Sequence, residues 1–100
     1  MFTPHLKNDQ TDLLMQALLT LKTPEQAERF CEDVMTIKEL DSIAQRLEVA
    51  VMLNRKATYQ EIAERTGAST ATISRVNRCL HYGADGYTYV LAQLDKEVLR

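Results

Sequence analysis

The sequence predicts an all-α chain of six helices, and three observations carry that prediction. Only three Gly and two Pro occur in 100 residues, among long stretches rich in Ala, Leu, Glu and Gln, a composition that favours helix. Helix-start signals stand at Thr23, Thr36, Thr58 and Ser69. Between them the apolar residues return every three or four positions rather than every two. One hundred residues at 45% hydrophobic and 26% charged read as one soluble globular domain spanning 1–100.

Residues 1–7 read as a loose arm. Asn8 or Asp9 caps a first helix to about Lys22, in which Leu13, Leu14, Met15, Ala17, Leu18, Leu19 and Leu21 lie almost all round the axis. A helix apolar on every side must be covered on every side. Thr23 as cap, Pro24 at the first helical position and Gln26 as capping-box partner open a second helix to about Met35. Its buried face is Ala27, Phe30, Cys31, Val34 and Met35. Thr36 with Glu39 forms a further capping box and starts the longest helix, Ile37 to Asn54, with a stripe of Leu40, Ile43, Ala44 and Leu47. The LEVAVML segment that follows is apolar on most sides. Two such helices are hard to bury in a 100-residue monomer, which predicts a homodimer.

Arg55 to Ala57 is a short basic connector into TYQEIAERTGASTATISRVNRCL, residues 58–80. Thr58 and Glu61 form a T-x-x-E capping box, so a fourth helix starts at Tyr59. Gly67 takes the left-handed conformation that ends it. Ser69 caps a fifth helix, whose inward residues are Ile73, then Val76 or Asn77, then Leu80. Ala63, Gly67 and Ile73 stand at the helix-turn-helix spacing. The outer and flanking faces of the fifth helix keep Thr70, Ala71, Ser74, Arg75 and Arg78: small polar groups that let backbone approach base edges, and arginines that reach phosphate or guanine. This pattern points to double-stranded DNA as partner. A generic helical hairpin, packed in a core or serving protein interaction, would show the same caps and turn. The segment from His81 to Gly86 breaks the helix, and Tyr87 to about Val98 forms the sixth. Tyr82, Tyr87 and Tyr89 are expected to pack and hydrogen-bond rather than stack on bases.

Net charge is −2, but it is unevenly placed. Residues 54–82 hold five basic and two acidic side chains, leaving +3 there and −5 on the remainder. A basic patch on an acidic body binds phosphates with modest, salt-sensitive affinity. Cys31 and Cys79 lack metal spacing and fall at apolar positions, as buried small hydrophobes. His5 and His81 are isolated. No nucleophile–base pair or glycine-rich phosphate loop is present, so neither an enzyme nor a cofactor is expected. No apolar run has membrane-spanning length and the start lacks signal-peptide features, giving a cytoplasmic expectation without membrane partners.

With this helix order, the chain resembles the Trp repressor family, and most its YerC/YecD branch. The resemblance is strongest over Met35 to Ala84, and GASTATISR, residues 67–75, is its most specific run. It implies an intertwined homodimer of all-α subunits acting as a transcriptional repressor. By position it places Gln60, Ser69, Thr70, Ala71 and Ser74 in the groove, and Thr58, Tyr59 and Arg78 at phosphates, with Arg75 facing either the DNA or the core. It also marks a vestigial ligand pocket of Thr36, Arg46, Arg75, Val76 and Cys79, where arginine matches a carboxylate. Val76 replaces the repressor's glycine and Cys79 its serine, so tryptophan should be excluded. The sequence identifies no other small effector.

Overall fold

The structure is a computed structural model describing residues 2–97, in which six helices and no strand appear among the described residues. They are α1 (Asp9–Leu18), α2 (Pro24–Val34), α3 (Ile37–Asn54), α4 (Tyr59–Thr66), α5 (Thr70–Tyr82) and α6 (Gly86–Glu97). The chain falls into two compact units, residues 1–40 and 41–100.

In the first unit, Asn8 caps α1. Its side chain accepts from the Thr11 N–H at 2.9 Å, and the Thr11 hydroxyl accepts from the Asn8 N–H at 2.9 Å. The helix stops at Leu18 rather than continuing to Lys22. Ala17's carbonyl accepts from both the hydroxyl and the N–H of Thr20, at 2.6 and 3.1 Å, and the Leu21 N–H turns to Leu18 at 3.2 Å. These bonds tighten the last turn. Thr23 caps α2 as expected. Gln26 reaches one residue farther back than a capping box requires, accepting from the Lys22 N–H at 2.9 Å rather than from Thr23. No residue of α1 or α2 is fully buried. Leu13 and Leu19 are 68% and 83% exposed, and Val34, placed inward by the periodicity, is also exposed.

α3 begins at its expected capping box, with Thr36 N–H donating to Glu39 Oε1 at 2.9 Å and Glu39 N–H to Thr36 Oγ1 at 3.1 Å. Its middle stripe remains open: Ile43, Ala44 and Leu47 are exposed. The second unit owns the buried core, formed by Val49, Ala50, Ile62, Ala68, Ile73, Val76 and Leu91. Val76, not Asn77, takes the inward position on α5. Ala57, Ala63, Leu80 and Tyr87 pack around this core, α4 lies against α5, and α5 against α6.

α5 runs two residues beyond Leu80. His81 and Tyr82 are tolerated in a helix, and the break comes at Gly83, whose N–H still bonds the Cys79 carbonyl at 3.0 Å. A Cβ at Gly83 would collide with that same carbonyl, so the residue is needed for close approach rather than for a positive φ. Two of the three tyrosines depart from expectation. Tyr87 packs on the core, but Tyr82 and Tyr89 are exposed, because the helix extension carries Tyr82 clear of the core. Cys79 is likewise exposed and Cys31 only half-buried. Val98, the expected end of α6, lies outside the described residues.

Candidate nucleic-acid interface

The two helices of the motif are capped and joined by bonds that residues 58–72 make among themselves. Thr58 N–H donates to Glu61 Oε1 at 2.8 Å, and Glu61 N–H to Thr58 Oγ1 at 3.2 Å. The Thr58 backbone N–H, and after it the Thr58 side chain, favour the charged carboxylate, so Glu61 titrates below the usual glutamate range. α4 ends at Gly67 with φ +74°, the left-handed cap. Thr66 organises the turn: its hydroxyl donates to the Ile62 carbonyl at 2.8 Å and accepts from the Ala68 N–H at 3.1 Å. Ala68 is itself buried, a core position that periodicity misses because it lies in a turn. Ser69 Oγ then accepts from the Thr72 N–H at 3.1 Å, starting α5.

The groups expected at DNA lie at the starts and along the faces of α4 and α5. Thr58 and Tyr59 stand exposed at the start of α4. Gln60 is exposed, with Nε2 donating to Glu64 Oε1 at 3.4 Å. Ser69, Thr70 and Ala71 form an exposed run at the start of α5, Ser74 is half-buried, and Arg75 and Arg78 are exposed. The burial of Ile73 and Val76, with Leu80 half-buried beside them, on one side of α5 leaves the small polar residues and both arginines to the other. Three basic residues of the patch lie elsewhere: Arg65 pairs with Glu48 at 3.7 Å, and Arg55 and Lys56 sit in the α3–α4 connector, Lys56 at φ +67°.

The residues of the supposed ligand pocket are placed differently from one another. Thr36 is an exposed helix cap in the first unit. In the second unit, Arg46 is half-buried, with Nε donating to the Ser42 carbonyl at 3.4 Å. Arg75 is exposed, and Val76 is 1% exposed within the core. Cys79 lines an open groove of about 460 Å³ with Leu47, Gly83, Ala84, Gly86, Tyr87 and Val90; neither arginine nor Val76 contributes to it. Val76 occupies volume that the replaced glycine would leave open.

The model of the family described as Trp repressor protein matches residues 9–95. A curated relative, "Uncharacterized protein YerC" of Bacillus subtilis (strain 168), is 52% identical over 86 residues, covering 86% of this chain and 83% of the relative. The crystal structure of a TrpR-like protein from Eubacterium eligens ATCC 27750 superposes with a TM-score of 0.86 at 56% identity, over 90% of this chain and 93% of that one. A Staphylococcus aureus protein of known structure gives a TM-score of 0.86 at 43% identity, over 92% of each chain. On the strength of these matches and of the six-helix order that places the motif at α4 and α5, the chain belongs to the Trp repressor family.

Proposed function

We propose that the protein is a homodimeric, sequence-specific DNA-binding transcriptional regulator of the repressor type, not gated by tryptophan. The observation that carries the reading is the outer face of α5, where Thr70, Ala71, Arg75 and Arg78 stand exposed behind a capped start and a left-handed turn. An interaction helix would present apolar groups there. Gln60, Ser69, Thr70, Ala71 and Ser74 face the base edges, and Thr58, Tyr59 and Arg78 hold phosphates. The exposure of Arg75 favours the duplex over the core. The whole chain, residues 1–100, serves as a single DNA-binding domain.

Dimerisation is supported by the apolar side chains that one chain leaves open on α1 and on the first part of α3, among them Ile37 at 82% exposure. A two-fold pair would set recognition helices about 34 Å apart, one duplex turn. No helix among the described residues is long and apolar enough to cross a membrane; the proposed place of action, beside the DNA, is the cytoplasm.

Genome-wide mapping of occupied sites in the protein's own cell tests the reading. Enrichment of pseudo-palindromic sites is expected. Occupancy without sequence preference would leave only a helical protein-interaction module.

A further inference from the structure

We infer that Gln45 is a positioning residue: its side chain fixes the helix-turn-helix against α3, and so sets the separation of the two recognition helices in a dimer. The inference rests on the DNA-binding reading above and adds to it the residue that holds the reading head.

The helix-turn-helix satisfies most of its own turn. The Gly67 N–H bonds the Ala63 carbonyl at 2.9 Å, and the Thr66 hydroxyl serves Ile62 and Ala68. The carbonyl of Thr66, the last residue of α4, is among those that a helix cannot pair internally. It accepts from Gln45 Nε2 at 3.1 Å, a half-buried bond spanning 21 residues of sequence. A directional bond partly shielded from water constrains both distance and angle. Three residues along α3, on the same face, Glu48 meets Arg65 at 3.7 Å. That pair is exposed and weakly orienting, so the amide is the directional member of the tether. It ties down the turn between α4 and α5, where a small rotation displaces the whole recognition helix.

Gln45→Met keeps the side chain's length and helix preference but removes the donor; Gln45→Lys restores one. Selection from a library of random-sequence duplexes with the unaltered protein first yields its preferred operator. Gln45→Met is then expected to accept several half-site spacings in place of one. Its operator affinity should fall about five- to tenfold, the scale of one net hydrogen bond, with binding to arbitrary duplex unchanged. Gln45→Lys should restore the single spacing. A merely structural role would lower melting temperature without widening the spacing. In the unaltered protein, the Gln45 side-chain amide protons should exchange with water more slowly than those of the exposed Gln10 and Gln16. Equal exchange, or an unchanged spacing and affinity in Gln45→Met, overturns the inference while leaving DNA binding intact. Failure of the unaltered protein to select any sequence overturns both.

Discussion

Thr58 and Glu61 each satisfy the other's backbone, the N–H of one donating to the carboxylate of the second at 2.8 Å and the reverse bond to the hydroxyl at 3.2 Å. Thr36 and Glu39 repeat the arrangement at the start of α3. Both carboxylates are held below the usual glutamate range, chiefly by the threonine backbone N–H. A depressed folded pKa lends stability that is fully present above the unfolded value and is lost as pH falls through the folded one. Melting temperature should therefore decline as pH drops through and below the ordinary glutamate range. Glu61→Gln, which still accepts from Thr58, should flatten part of that slope; thermal melts across the acid range check it. Thr58→Ala should cost about 1 kcal/mol, as caps do.

Lys56 ends α3 in the left-handed region at φ +67°, with its N–H bonded to the Leu53 carbonyl at 3.0 Å and that of Ala57 to Met52 at 3.1 Å. This is a Schellman end with lysine where glycine is least strained. Lys56→Gly should raise stability by about 1 kcal/mol, read as a higher denaturant midpoint at constant slope. A destabilised variant would mean that the lysine side chain makes up for the strain.

The contrast between Gly67 and Lys56 marks what sequence can and cannot tell. Gly67 is legible because residue type and conformation agree there; at Lys56 the hydrogen bonds of the helix end override propensity. The same division runs through the caps. Thr36–Glu39 and Thr58–Glu61 follow the common spacing, whereas Asn8–Thr11 uses a threonine hydroxyl where glutamate or glutamine is usual. The inward face of α5 was readable from its period, but burial of Ala68 and the Gln45–Thr66 bond depend on how α3 crosses α4. Local signals carry no trace of a bond made 21 residues away. The exposure of Thr70, Arg75 and Arg78 was legible as the complement of Ile73, Val76 and Leu80; that of Cys79 was not, because its helical position is apolar by pattern and α6 does not cover it.

Arg78 and the small polar residues of α5 should respond differently to truncation. If Arg78 holds a phosphate as proposed, Arg78→Ala should weaken binding about equally for all duplexes and lower the salt slope by about one unit. Thr70→Ala and Ser74→Ala should instead change which bases are preferred. The salt dependence of affinity and a selection on each variant separate the two. Equal affinities and preferences for all three variants and the unaltered protein would count against α5 as the reading element.

Val76 bears on whether tryptophan can act at all. A corepressor works only by binding the DNA-competent state better than the alternative. Its indole needs space, and Val76, 1% exposed, packs in the core with Val49, Ile62, Ile73 and Leu91. A branched side chain anchored this way cannot swing aside without opening a void beneath it. DNA affinity should therefore be unchanged by tryptophan at about millimolar concentration, the weak end of specific ligand binding, and titration calorimetry should register no heat of binding. Val76→Gly should cost about 1–3 kcal/mol, combining lost burial with the poor helix propensity of glycine. If the space is what excludes the ring, that variant alone should gain a weak indole response. A saturable tryptophan response in the unaltered protein would show instead that the ring has a route into the site past Val76.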